Sequence, residues 1–304
     1  MSPTQDQFKA SGFTVVEMLV SMAILIMLLA MVTVMINSAS RMTVDGGKHM
    51  DADSQARLIF DRMAIDIARM VKRADVDYWF QQNKGNDAMA FYSESTGYSP
   101  AGTSGGQVGS ASLVGYMITP DPAKPPQLMR LSKALVWNGV TAAGATPMVF
   151  GTSAAGAGKL LTSNWPQIAD GTDPDYQVIA DQVYRLEFNF LLKPYTDASG
   201  KLQASIISVT PWDARQSHTA LNGMGDVSAI MVALGILDNT SRKIVESTQY
   251  AGMIKALPEA SGSSSILQTW NSSNYLSVTQ GLIPKASAAQ VRTYQRCFFL
   301  NQAP

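Results

Sequence analysis

Residues Gly12 to Ile36 read GFTVVEMLVSMAILIMLLAMVTVMI. From Met18 to Ile36 only Ser21 and Thr33 interrupt the apolar positions, and no charge falls between Met18 and Ser40. A hydrocarbon core of about 30 Å needs roughly 20 apolar residues in a helix. This run is therefore long enough to cross a membrane once, and no proline breaks it. A secretory signal peptide is the competing reading. Its apolar region is shorter, about 7–15 residues, although Asn37-Ser38-Ala39-Ser40 offers a loose small-residue cleavage site. Glu17 stands at the edge of the run. A carboxylate at membrane depth is costly and by default marks function; the plainer alternative places it in the headgroup layer.

The longer stretch Lys9-Ala10-Ser11-Gly12-Phe13-Thr14-Val15-Val16-Glu17-Met18-Leu19-Val20 resembles the class III leader of type IV pilins and type II secretion pseudopilins. That family has a short polar leader ending in Gly, then Phe, then Thr-Leu-(Val/Ile)-Glu, then an apolar helix. The resemblance implies cleavage between Gly12 and Phe13 by a prepilin peptidase, followed by N-methylation of Phe13. It also implies that Glu17, fifth residue of the mature chain, pairs with the free amine of a neighbouring subunit during assembly. Physical chemistry agrees, because a buried carboxylate needs a compensating cation. Gly12 has no side chain, so a peptidase can approach the scissile backbone. The leader departs from the family pattern in carrying Asp6 and one basic side chain, Lys9. Arg41 and Lys48 beyond the helix also oppose the positive-inside rule. Met18, Met22, Met27, Met31 and Met35 line the run; methionine packs adaptably, which suits either lipid or a bundle of helices.

A second helical pattern follows. Gln55–Arg73 reads QARLIFDRMAIDIARMVKR, with Ile59, Met63, Ile67, Met70 and Val71 recurring at the 3.6-residue period. Asp61, Arg62, Asp66, Arg69 and Lys72 fill the other faces, which reads as a solvated surface, with Arg62 and Asp66 able to pair at i, i+4. Lys72 and Arg73 suit the negative pole at the helix end. Gly46-Gly47 is the expected loosening or kink between the two helices. If the rod is continuous, Phe13–Arg73 is about 90 Å long at about 1.5 Å per residue, as in the stalk of the pilin family.

The remainder reads as a β-rich head. Tyr184, Leu186, Phe188 and Phe190 alternate with Arg185, Glu187 and Asn189, the pattern of a strand with one solvated face. Val227–Leu237 is an unbroken apolar run, too short to span a bilayer, and reads as a central buried strand. Leu113–Thr119, Gln127–Trp137, Ser205–Thr210 and Arg292–Leu300 are further strands, and Ser241–Leu257 a short helix before Pro258. Ser95–Pro120 and Ala134–Gly158 carry no charge and read as long Gly/Ser-rich loops, either functional or mobile. Val209-Thr210-Pro211-Trp212-Asp213, Asp226-Val227-Ser228-Ala229-Ile230, Leu237-Asp238, Tyr294-Gln295-Arg296 and Phe298-Phe299-Leu300-Asn301 resemble the Verru_Chthon cassette protein C family of large pilin-like proteins. The head also loosely resembles the J-type minor pseudopilin of type II secretion.

Composition narrows the function. Basic and acidic side chains balance at 23 each, and charged residues make up 15% of 304, below the roughly 25% of an average soluble domain. The deficit sits in the apolar helix and the two uncharged loops. No bulk positive charge exists to bind nucleic acid. One cysteine, Cys297, excludes an intramolecular disulfide, and two histidines, His49 and His218, leave little for a histidine metal site. Gly102-Thr103-Ser104-Gly105-Gly106 has the G-x-S-x-G spacing but lies between glycine-rich segments rather than a strand and a helix. Ser153–Leu160 misses the first glycine and the final Ser/Thr of a P-loop. Asp170, Asp173 and Asp175 could hold calcium or form a plain turn. Cys297 reads as a packed thiol.

The expectation is an α+β fold: a long N-terminal transmembrane and amphipathic helix packed on an antiparallel β-sheet head. Its parts are a leader (1–12), a transmembrane helix (13–41), an amphipathic helix (42–75) and a head (76–304). The resemblance implies a non-enzymatic minor pilin or pseudopilin, with no catalytic residue, cofactor or metal. Its implied partners are a prepilin peptidase, other pilin subunits and inner-membrane lipid. Its implied location is the inner membrane as a single pass, N-terminus cytoplasmic and head periplasmic, or an extracellular fibre. A pilus-tip adhesin using the two uncharged loops is the alternative, and a membrane-anchored envelope enzyme a remote one.

Overall fold

The computed structural model describes residues 14–73, 76–98, 107–137, 161, 166–216, 224–262 and 264–300. The chain divides into two compact units, Met1–Gly47 and Lys48–Pro304. Helix α1 (Val15–Ala68) contributes to both, and Gly46 and Gly47 are helical residues within it.

In the first unit, every side chain from Thr14 to Asp45 is exposed. Val15, Met18, Met27 and Val34 each leave at least 60% of their surface bare. A helix that is apolar all round is stable only in lipid or inside a larger helical assembly. The two hydroxyls in the run are already satisfied: Ser21 donates to the Met18 carbonyl at 2.9 Å and Thr33 to the Leu29 carbonyl at 2.8 Å. Neither would carry an unmet donor into hydrocarbon.

In the second unit, α1 buries Ala52, Ala56, Ile59, Phe60, Met63 and Ile67, the stripe expected from the 3.6-residue period. Two antiparallel sheets share this core. The first runs β1 (Trp79–Gln81), β2 (Ala88–Ser93), β3 (Gln107–Ile118), β4 (Leu128–Trp137) and β5 (Tyr176–Ala180), in that spatial order. The second has the order β11 (Arg292–Phe299), β10 (Val227–Ile236), β6 (Val183–Leu192) and β9 (Ile207–Ser208). A short helix, α2 (Pro166–Asp170), precedes β5, and a two-stranded ribbon, β7 (Tyr195–Thr196) with β8 (Leu202–Gln203), follows β6. β10 is central, with β11 and β6 antiparallel on its two sides. Where the sheets meet, Phe80 stacks on Phe91 at 6.3 Å between centroids and meets Phe188 and Phe190 edge to face at 5.3 and 5.2 Å.

Five expectations change. Helix α1 ends at Ala68 rather than Arg73, because the chain turns extended: the Val71 amide donates to Tyr92 and the Glu94 amide to Arg69. β6 has no solvated face, since Arg185, Glu187 and Asn189 are as buried as their apolar neighbours. Their side is covered by the segment carrying α4 (Ser247–Ala256) and α5 (Ile266–Ser272), with Trp270 fully buried. The single helix expected at Ser241–Leu257 is two, α3 (Asn239–Arg242) and α4, separated where Glu246 starts a new capping box. Asp66, read as solvated, is fully buried. The first expected loop is in good part strand, since β3 begins at Gln107 rather than Leu113, while β4 ends at Trp137 as expected. Residues 99–106 and 138–158 lie outside the described residues.

Candidate functional site

The start of α1 is built by two side chains three residues apart. The Thr14 amide and the Thr14 hydroxyl both donate to Glu17 Oε2 at 3.0 Å, and the Glu17 amide donates to Thr14 Oγ1 at 3.3 Å. This is a reciprocal capping box. It satisfies donors that a helix start otherwise leaves open and puts an anion at the positive pole. Among the described residues, Glu17 Oε1 accepts no hydrogen bond. One oxygen therefore holds the helix start while the other can face a cation. The T-x-x-E spacing that signals the cap, Thr14 to Glu17, lies in the sequence inside the motif.

Residues 7–33 match the model of the prokaryotic N-terminal methylation motif. The match covers the Gly12–Phe13 junction, Thr14, Glu17 and most of the apolar run. This prepilin-type motif supports a type IV pilin-like protein, with processing by prepilin peptidase and assembly with other pilins. It points to a structural subunit rather than an enzyme. The apolar helix, long enough to cross a membrane, fits an anchor. Gly12 and Phe13 themselves lie outside the described residues. No curated protein matches the chain.

The other candidates resolve into structure. Asp173 and Asp175 converge on Lys133, at 2.7 and 3.0 Å. The ammonium occupies the place a calcium ion would take. Asp170 turns away and accepts from the amide and hydroxyl of Thr172. Cys297 is half-buried, and burial pushes its thiol up, away from the reactive thiolate. His49 meets the Arg292 guanidinium at 2.8 Å. His218, Gly102–Gly106 and Ser153–Leu160 lie outside the described residues.

Two buried charged clusters were missed because their members are far apart in sequence. Asp66 takes Arg130 bidentately at 2.7 and 3.0 Å, the Tyr116 hydroxyl at 2.5 Å and Ser95 at 3.3 Å. Burial and then the Asp66 charge push the Tyr116 hydroxyl well up, so it stays a donor. The second cluster brings carboxylate oxygens of Asp87, Glu187 and Glu259 within 4.8 Å of one another. Arg185 already supplies the cation, bonding Glu187 and lying 3.3 Å from Glu259. Backbone amides of Asn83 and Phe188 satisfy Asp87, Gly85 serves Glu259 and Ala260 serves Glu187. Burial pushes Asp87 up to about 7, and burial followed by the Asp87 charge pushes Glu187 further up. The trio is a protein-filled ion cluster holding β6 to the loop before β2 and to the chain after α4.

Proposed function

We propose that this chain is a minor pilin or pseudopilin, cut between Gly12 and Phe13, N-methylated at Phe13 and held in its fibre through Glu17. The observation that carries the reading is the methylation motif over residues 7–33, continued by an apolar helix that is exposed on every side among the described residues. The resemblances to the Verru_Chthon cassette protein C family and to the J-type minor pseudopilin support reading it as a pilin-like protein with a large head. The leader is residues 1–12, the anchor 13–41, the amphipathic helix 42–75 and the head 76–304. The precursor sits in the inner membrane with its N-terminus cytoplasmic and its head periplasmic. Assembly moves the apolar helix from lipid to neighbouring helices. There Glu17 Oε1 takes the Phe13 amine of an adjacent subunit, giving a desolvated carboxylate the cation it needs.

Mass spectrometry of the N-terminal peptide from the membrane fraction tests this directly. A mature chain starting at methylated Phe13 is expected. An intact Met1 in the mature membrane form sinks the proposal.

A further inference from the structure

The second unit holds a cavity of about 390 Å³ that none of the assignments above uses, and its lining residues are all among those described. Four segments close on it: the loop before β2, the turn from the end of β3 to Pro126, the end of α2 and one face of α4. On α4, Ser247, Tyr250, Ala251, Ile254 and Lys255 recur at the helical period. One stripe of this helix is thus turned to the cavity, while Met253 on another is buried in the core. The volume lies within the range of small-molecule sites.

Open apolar surface is left here. Pro120, Pro122 and Ala251 are exposed and Ile254 is half-buried. The turn offers few free donors. The prolines at 120, 122 and 126 have no N–H. The amides of Ala123 and Lys124 both go to Asp121, and the Thr119 amide and hydroxyl both go to the Gln127 carbonyl.

Two polar side chains of the lining are buried, Asp87 and Tyr250. Asp87 accepts from the Asn83 and Phe188 amides. The Tyr250 hydroxyl has no hydrogen-bond partner among the described residues. Burial above all pushes this phenol up to about 12, so it keeps its proton at neutral pH and can donate. Arg242, whose charge acts on the phenol, lies 3.3 Å from Asp181, and its Nε is likewise buried without an acceptor among the described residues. A buried donor left unmet is costly, so an acceptor brought to it is held.

We propose that this cavity binds a small neutral molecule with an apolar body and a carbonyl oxygen that accepts from the Tyr250 hydroxyl. The body lies against Pro120, Pro122 and Ile254. A neutral carbonyl supplies the acceptor without carrying a charge into an apolar site. The inference uses the second unit alone and is independent of the pilin reading.

Acetophenone and ethylbenzene are the probes, similar in shape, the first with a carbonyl and the second without. Each is titrated into the full chain in detergent micelles, with its free concentration corrected for partition into the micelles. The isoleucine and methionine methyl groups are labelled, and the Ile254 and Met117 signals report occupancy by NMR. Acetophenone should move both signals and bind at least about fivefold tighter than ethylbenzene. Tyr250→Phe should erase that preference, weakening acetophenone about fivefold or more and leaving ethylbenzene within about twofold of the parent. It should not lower the unfolding temperature, because the hydroxyl it removes holds nothing in the free protein. Ala251→Trp, at an exposed position of the stripe, should fill the cavity and weaken both probes. The proposal is overturned if neither signal moves, if the two probes bind equally, or if the preference survives Tyr250→Phe. It is also overturned if Tyr250→Phe clearly lowers the unfolding temperature or if Ala251→Trp leaves both probes bound as before.

Discussion

Removing the Asp66 carboxylate should cost the second unit several kcal/mol, and the geometry says why. Asp66 is 0% exposed and Arg130 only 2%, and Arg130 forms both of its short contacts to that carboxylate. Asp66→Ala leaves a buried guanidinium with no counter-charge and also strips Tyr116 and Ser95 of their acceptor. Breaking a buried pair by deleting one partner costs about 3–5 kcal/mol. For a unit of this size, about 1 kcal/mol lowers the melting temperature by about 2–4 °C, so a drop of about 6–20 °C is expected. Replacing both partners, Asp66→Ala with Arg130→Met, should recover most of the loss, because it removes the stranded charge as well. The assay is thermal unfolding of parent, single and double variants in detergent, read by circular dichroism. A single variant within about 1 kcal/mol of the parent, or a double variant no better than the single, would refute the reasoning.

Other outcomes follow from the same geometry. Glu17→Gln keeps a capping-box residue at the third helical position but loses the charge. It should be cleaved normally yet fail to enter fibres, and normal incorporation measured in sheared fibres would remove the charge-pairing role. Asp87 has its folded pKa raised from 3.8 to about 7, so the native state holds a proton that the unfolded chain releases. Its contribution is therefore full below about pH 4 and is lost as pH rises through 7; Asp87→Asn should flatten that fall in urea titrations at stepped pH. Adding calcium or a chelator should leave the melting temperature unchanged, because Lys133 already occupies the Asp173–Asp175 site; a clear upward shift with calcium argues the other way. Gly235→Ala would place a Cβ 2.9 Å from Arg185 Cβ and 3.0 Å from the Tyr184 ring. The overpacking should cost about 1–3 kcal/mol, measurable as a lower urea midpoint.

The parts of the fold legible in the sequence were those written in local periodicity. The apolar run, the stripe Ile59-Met63-Ile67 and the strand Val227–Ile236 each bury what their spacing implies, or expose what only lipid or another helix could cover. β6 misled because alternation reports side-chain chemistry, not what lies above it. Arg185, Glu187 and Asn189 are polar, yet the cover over them comes from residues some 60–100 positions later. Asp66 misled for the same reason, its partner Arg130 being 64 residues away. At the helix start the methylation motif was readable, because it is written within one short segment, residues 7–33. Thr14, to which the motif reading gives no role, holds the Glu17 carboxylate.

The arrangement around β11 sets an order of events. Among the described strands this one is translated last, yet it forms one flank of the central strand β10 over eight residue pairs. It also meets the second unit's earliest residues: Arg292 on His49, Tyr294 on Asp53, Arg296 on Asp61 and Phe298 on Phe60. Contacts this distant in sequence form slowly. Until β11 leaves the ribosome, β10 has an open flank of unpaired amides and carbonyls, the kind of edge that recruits foreign strands. The head is therefore most vulnerable to mispairing while β11 is still missing from the growing chain. A nascent chain stalled at that point should be the form that aggregates.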